Sequence, residues 1–333
     1  MRDNELRRAS LVSMPQAPVA RSPKFRISSA EMQRDSMTSS GRTSRISVLP
    51  YTYEEGSLSQ RAAGSPTLAY QLSLPTDAKV GVLVLHGYGE HGGRYRRIVE
   101  RWAKKGIASA VVDLRGHGWS EGPRGHCDRF SDYLEDAADM LATFKERVPG
   151  LPLYLFGHSF GGLIAANFVL SLPGAFEGLV LSSPFFGLSL EVPGAKKFAG
   201  EVASRLFPRL SMPTGLSGKD VTHDETIARL YDADPLVNKV ATARWYTETV
   251  AAQRDLLARA AQIKLPLLLV QAGADRVVSA AAARTVFDRM GSTDKLFDER
   301  AGLFHEILNE PKVGDTIADE MADWILEHAK TEK

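Results

Sequence analysis

The sequence has little cysteine: Cys127 stands alone among 333 residues, so no disulfide can form within the chain and an oxidising compartment is not required. It has no apolar run near the roughly 20 residues that cross a bilayer as a helix, so no transmembrane segment is expected. Neither charge sign dominates. With 41 Lys and Arg against 40 Asp and Glu, the formal net charge of +1 argues against nucleic acid as a partner. Metal-ligand spacing is missing as well. His305-Glu306-Ile307-Leu308-Asn309 begins like a zinc-protease helix motif but ends in Asn, and His86 and His91 stand five apart in a Gly-rich turn. No metal is implied. The stretch 86–95 has neither the Gly-x-Gly-x-x-Gly spacing nor a following Lys-Ser/Thr, which speaks against a phosphate cradle. No signal-peptide apolar region is found, and Asp3 and Glu5 disagree with an acid-poor transit peptide. A cytoplasmic protein, with or without peripheral attachment to a membrane surface, is the expectation.

What is present fits a globular chain, with 44% hydrophobic and 24% charged residues. Residues 1–50 stand apart. They hold ten Ser and nine Lys or Arg against four Asp or Glu, and their low hydrophobicity predicts a disordered leader. Beyond them, Tyr51 to Ser57 and Thr67 to Leu74 read as an antiparallel edge hairpin. Apolar strands at Val80 to Leu85, Ile107 to Asp113, Leu151 to Phe156, Gly178 to Ser182, Leu265 to Gln271 and Lys295 to Phe297 then alternate with helical segments. That rhythm predicts a mostly parallel, doubly wound α/β sheet. Helices are read at Tyr95 to Lys105, Phe130 to Arg147 and Val313 to His328, the last with Ile317, Met321, Trp324 and Leu326 assigned to one face.

Gly157-His158-Ser159-Phe160-Gly161 lies between a buried-type strand and a small-residue helix. A Ser on such a sharp turn is lifted clear of the sheet, and the glycines leave room for strand and helix to approach. The helix that follows points N–H groups and its positive end toward a developing oxyanion. If Ser159 is a nucleophile of this type, an acid and a His follow in that order. Asp275 ends the strand Leu265 to Gln271 after a Gly-containing turn, and His305 sits in a loop after Lys295 to Asp298. The Gly-rich loop after Val80 to Leu85 offers the backbone N–H of Tyr88, which with that of Phe160 makes an oxyanion hole. For Asp275 the structural alternative is a helix N-cap, and for His305 a surface loop position. Asp113 and His117, which also tempt, are assigned a structural role at a glycine-flanked turn.

Beside the elbow, the segments His86-Gly-Tyr-Gly-Glu-His-Gly-Gly-Arg-Tyr95, Asp113-Leu-Arg-Gly-His-Gly-Trp-Ser-Glu-Gly122, Tyr231-Asp-Ala-Asp-Pro-Leu236, Gly273-Ala-Asp275 and His305-Glu-Ile-Leu-Asn-Glu-Pro311 belong together. With them the chain, from about Ser57 onward, resembles the monoacylglycerol lipase and lysophospholipase branch of the α/β-hydrolases. The resemblance implies an α/β-hydrolase fold, its core formed by 51–183 and 245–333 with an inserted cap or lid over 184–244. It implies a serine hydrolase that needs no cofactor and cleaves a monoacylglycerol through an acyl-enzyme. Lysophospholipase or a broad carboxylesterase is the alternative within the class, and a non-catalytic ligand receptor the alternative outside it. Glu90, Arg94, His158 and Tyr231 fall where the resemblance places the glycerol pocket, although a Glu90–Arg94 salt bridge with a packed Tyr231 is the structural alternative. Phe160 stands where Met is commoner and Tyr88 where a small residue is frequent, so a narrowed acyl channel is expected. In the cap, Phe198, Val202 and Leu206 recur at helical spacing beside Lys196, Lys197, Arg205 and Arg209. Two readings of that stripe stay open: packing on the core, or a lid rim in peripheral contact with a membrane.

Overall fold

Continuous apolar runs rather than alternating ones mark the central strands, because helices cover both faces of the sheet they form. In this computed structural model, which describes residues 50–59, 64–189 and 194–330, the expectation for the 1–50 leader lies outside the described residues save for Pro50. The chain opens with the antiparallel hairpin β1 (Tyr51–Leu58) and β2 (Leu68–Pro75). Next come β3 (Val80–Leu85), α1 (Arg96–Ala103), β4 (Ile107–Val112), α2 (Ser131–Arg147), β5 (Leu153–His158), α3 (Phe160–Ser171) and β6 (Gly178–Ser182). An insertion follows: α4 (Gly194–Leu206), β7 (Ser211–Pro213), α5 (Gly218–Val221), α6 (Glu225–Ala233), β8 (Val240–Thr242) and α7 (Ala243–Arg259). The sheet resumes with β9 (Leu267–Ala272), α8 (Ala280–Arg289), β10 (Lys295–Arg300) and α9 (Gly314–His328).

Eight strands form one sheet in the order β1-β2-β4-β3-β5-β6-β9-β10, parallel from β4 to β10. Strands β3, β4, β5, β6 and β9 are buried at every position. Strand order reverses at β3, which pairs with β4 on one side and β5 on the other. Such a switch point leaves a crevice at the carboxyl ends of the strands. The loop after β3 and the turn after β5, which carry Tyr88 and Ser159, both open there.

One layer packs Phe144, Leu163, Leu85 and Leu155 together, and the other packs Trp102, Phe156, Ile317 and Met321. The buried indole of Trp102 donates to the Ala318 carbonyl at 2.8 Å, tying α1 to α9. On α9 the buried stripe is Ile317, Ala318, Met321, Ala322 and Ile325, with Trp324 and Leu326 only partly buried. Both still pack against the same core layer, at the flanks of the stripe, while Ile325, eight residues after Ile317, continues the buried line.

Of the two readings left open for the α4 stripe, packing on the core does not hold for Val202 and Leu206, which are exposed, whereas the buried Ser204 hydroxyl meets Thr247 of α7 at 2.7 Å. Gly200 faces the same helix, where a Cβ would make an ordinary 3.7 Å contact with the Tyr246 ring. The Phe198 side chain lies outside the described residues.

The approach of α3 to β3 leaves no room for a side chain at Gly161, where a Cβ would stand 2.1 Å from the Leu85 carbonyl oxygen. Gly161→Ala is therefore expected to cost roughly 3 kcal/mol, the upper end for adding a methyl to a packed site. Gly194→Ala, with nothing within 4 Å, serves as the control. Chemical denaturation of both variants checks this, and equal stabilities would refute the close approach.

Candidate active site

Ser159 joins β5 to α3 with φ 52° and ψ −118°, a region that costs a non-glycine residue about 1–3 kcal/mol. The surroundings hold it there. Its N–H donates to Ser182 O at 3.0 Å, and its carbonyl accepts from Gly162, Leu163 and Phe185 at 2.9, 3.2 and 2.8 Å. A Cβ on Gly157 would meet Gly161 O at 2.5 Å, so the elbow depends on glycine at both flanks.

Across 146 residues of sequence, His305 Nε2 comes to 2.8 Å from Ser159 Oγ. Its Nδ1 lies 2.7 Å from Asp275 Oδ2, and Asp275 Oδ1 accepts the N–H groups of Val277 and Val278 at 2.8 and 2.9 Å. The pattern assigns the proton on Nδ1 to a bond with Asp275, leaving the Nε2 lone pair to accept from the Ser159 hydroxyl. Burial by itself would depress the imidazole, but the Asp275 charge and hydrogen bond outweigh it and hold His305 above its ordinary value. Burial likewise opposes ionisation of Asp275, yet His305 and the two backbone N–H groups bring its carboxyl below the usual range. Asp275 thus orients His305 and holds the 277–278 turn, but it is not the helix N-cap: that of α8 is Ser279, whose hydroxyl accepts from the Ala282 N–H at 3.1 Å.

On the loop after β3, the Gly87 N–H donates to Glu90 Oε1 at 2.6 Å, and Gly89 bends the chain at φ 82°. A Cβ on Gly87 would lie 3.1 Å from Ser159 Cβ, so this loop runs directly past the nucleophile. Among the described residues, neither the Tyr88 nor the Phe160 backbone N–H donates to a backbone carbonyl. The Phe160 ring does not narrow the cavity. It is fully buried against Tyr133, Phe130 and Trp245. Tyr88 does line the cavity, its hydroxyl donating to Val240 O at 2.6 Å and its ring 3.9 Å from that of Trp245.

Ser159 opens into a cavity of about 320 Å³ whose walls are mainly apolar, among them Phe185, Leu188, Leu216, Val221, Trp245 and Val278. Its polar side is formed by Glu90, His158, Tyr231 and Glu306. Arg94 sits behind that wall, in a space of about 20 Å³. It donates to Glu90 at 2.9 Å and, through both terminal nitrogens, to Glu306 at 2.6 and 2.8 Å, with its guanidinium 4.9 Å from the Tyr231 ring. Burial works against the Glu90 carboxylate, but Arg94, His158 and His86 and a bond from Tyr95 bring it down to about 2. His158 bonds Ser182 through Nδ1, its ring lies 4.8 Å from that of His305 at a tilt of 45°, and burial followed by the His305 charge depresses it. The Glu90–Arg94 salt bridge is thus present. Glu306, which the sequence reading passed over, is its missing third member, and the His305-x-x-x-Asn309 spacing was the available signal, since Asn309 Nδ2 donates to Glu306 at 2.8 Å.

Asp113 holds loops: its two oxygens accept from Gly92 at 2.6 Å and Trp119 at 2.8 Å. Among the described residues no group of three or more His, Cys, Asp or Glu is placed to hold a metal.

A family model described as serine aminopeptidase, S33 matches residues 76–312. A phospholipase, YtpA, of Bacillus subtilis is 33% identical over 236 residues, covering 70% of this chain and 90% of that protein. A monoacylglycerol lipase of Mycolicibacterium smegmatis is 31% identical over 267 residues, covering 80% of this chain and 95% of its own. Among solved structures, a monoacylglycerol lipase of Paleococcus ferrophilus superposes with a TM-score of 0.72 at 28% identity, over 79% of this chain and 99% of that one.

Proposed function

The chain belongs to the serine aminopeptidase S33 family and is a carboxylic ester hydrolase of the α/β-hydrolase fold; from this premise we propose that Ser159, His305 and Asp275 split a monoacylglycerol into fatty acid and glycerol. The observation that carries the reading is one cavity lined at once by Ser159, by apolar side chains such as Phe185, Leu216 and Trp245, and by the hydrogen-bonding groups of Glu90, Tyr231 and Glu306. An acyl chain suits the apolar side chains and a polyol the hydrogen-bonding groups.

Ser159 Oγ attacks the ester carbonyl as His305 Nε2 takes its proton, and Asp275 stabilises the imidazolium that results. The tetrahedral oxyanion is received by the N–H groups of Tyr88 and Phe160, each contributing about 3 kcal/mol to the transition state. Collapse expels glycerol, protonated by His305, and leaves the acyl group on Ser159. Water deprotonated by the same imidazole then releases the fatty acid. No step calls on a cofactor.

Relatives include a phospholipase as well as monoacylglycerol lipases, so a lysophospholipid is the second reading. Tyr231 offers the cleanest test of the first. Its ring lines the cavity, and its hydroxyl makes no hydrogen bond among the described residues. Tyr231→Phe is expected to lower kcat/KM for monoacylglycerol about five-fold while sparing a short aryl ester, the size of one lost hydrogen bond of about 1 kcal/mol. Glu90→Gln should act in the same direction. Equal losses on both esters would return the substrate to an unspecified ester.

For membrane contact the support is a patch on α4 and the segment after it. Val202, Leu206, Phe207, Leu210 and Met212 are exposed there beside exposed Arg205 and Arg209, a pattern suited to an anionic bilayer surface. Among the described residues no helix is long and apolar enough to cross a membrane.

A further inference from the structure

The polar wall of the cavity holds more carboxylate than it neutralises. Glu90 and Glu306, with side chains 5% and 6% exposed, both face the cavity that contains Ser159, while Arg94 does not reach it. One guanidinium therefore serves two carboxylates, and one negative charge is left in surplus. The other groups bonded to the pair are neutral: the Gly87 N–H, the Tyr95 hydroxyl and the Asn309 amide. Two imidazoles face the same space. His158 is kept neutral by burial, and His305 is committed to Asp275, which is itself negative. Arg276 also lines the cavity, but it is exposed to solvent, stacked 3.9 Å over Phe304 with a donor at 3.4 Å from Lys219 O, where water and salt screen it.

Acceptor capacity points the same way. A carboxylate has about four lone-pair sites. Glu90 uses three, for Gly87, Tyr95 and Arg94, and Glu306 uses three, two for Arg94 and one for Asn309. On this count each keeps one acceptor position, on Glu90 Oε2 and on Glu306 Oε1. The Glu90 carboxylate as a whole is close to the chemistry, because the Cβ position of Gly87 lies 2.8 Å from Glu90 Oε1 and 3.1 Å from Ser159 Cβ, and both carboxylates line the cavity that contains Ser159.

We propose that Glu306 determines specificity: together with Glu90 it gives the leaving-alcohol end of the cavity an uncompensated negative charge that accepts hydrogen bonds from a neutral polyol and repels a phosphate-bearing alcohol. The inference rests on the lipid-ester reading above and narrows its substrate class. A free hydroxyl donates to either carboxylate. A phosphate monoester, with about −1.5 to −2 charges and only acceptors to offer, meets like charge in a water-poor site. Discrimination then comes from a repulsive element as well as an attractive one.

The test compares 1-acylglycerol with 1-acylglycerol 3-phosphate carrying the same acyl chain. The protein is expected to favour the neutral ester in kcat/KM by at least about ten-fold, and Glu306→Gln, which removes the surplus charge at nearly constant shape, should shrink that preference by about ten-fold. Arg276→Gln should leave the ratio within about two-fold. Because Glu306→Gln also loosens Arg94, competition in the unaltered protein supplies a second measurement: glycerol should inhibit hydrolysis of a short aryl ester more strongly than glycerol 3-phosphate does. Equal or faster cleavage of the phosphate ester, stronger inhibition by glycerol 3-phosphate, or an unchanged preference in a folded Glu306→Gln protein overturns the proposal. Failure of the monoacylglycerol reading looks different. Both glycerol esters would then be poorer substrates than the aryl ester, with glycerol still the better competitor.

Discussion

Ser159→Ala is expected to abolish labelling by a fluorophosphonate and to lower ester turnover by about four to six orders of magnitude. The size follows from what a single atom does here. Oγ is the group 2.8 Å from His305 Nε2, and without it the imidazole has no proton to take and no acyl-enzyme can form. The residual rate is what the oxyanion N–H groups and binding supply to direct attack by water. The fold should not change, since Ala keeps the Cβ already present at φ 52° and the four backbone hydrogen bonds of residue 159 involve no side chain. Thermal melting of the variant separates the two effects. A stable variant with near-normal turnover would remove Ser159 from the mechanism.

Asp275→Asn should reduce kcat by about 10⁴ while leaving the protein folded. An amide facing Nδ1 offers N–H where a carboxylate accepted one, which favours the tautomer with its proton on Nε2, the atom that must receive the Ser159 proton. The pH profile carries a second signature. Asp275 holds His305 above the ordinary imidazole value of 6.5 in spite of burial, so the protonated, inactive form persists to higher pH. The acid limb of kcat/KM is therefore expected above about 6.5, with activity rising as pH increases through it. In Asp275→Asn burial prevails, and the limb moves to lower pH. Asp298→Asn is the control, since Asp298 on β10 is bonded to Arg300 at 2.8 Å. A damaging Asp298→Asn beside a harmless Asp275→Asn would mean that the acid is misassigned.

How much of this was legible in the sequence depended on distance along the chain. The five buried parallel strands, the elbow at Ser159 and the order of Asp275 and His305 show as local patterns, because a buried parallel strand is a continuous apolar run and a sharp turn needs glycine. Strand ends moved by up to three residues: β10, read as Lys295 to Phe297, runs Lys295–Arg300, and β5, read as Leu151 to Phe156, runs Leu153–His158, since pairing with β6 carries it to the elbow. The inserted segment was harder. Its short helices depend on caps such as the Asp224 carboxylate on Thr226 and Ile227, and on α4 the buried position that meets α7 is a polar one, Ser204, which gives no apolar period to read. Least legible was the Arg94–Glu306 pair, whose members lie 212 residues apart. No window along the chain contains both, so Glu90, the nearer carboxylate, was the only partner in view.

The histidine arrives from the rim of the sheet. Strand β10 has a neighbour on one side only, and none of its residues is fully buried, where the burial of the central strands is complete. The loop it launches is fastened to the insertion by Glu306 N–H on Val221 O at 2.8 Å and by the Thr222 hydroxyl on Asn309 O at 2.9 Å. Ser159, by contrast, hangs from a strand in the middle. Opening of the rim alone, a sub-global event less costly than full unfolding, would withdraw the base from an intact nucleophile. Heat or denaturant should then silence turnover before it melts the core, and catalysis becomes the most sensitive gauge of whether the outermost strand is still zipped.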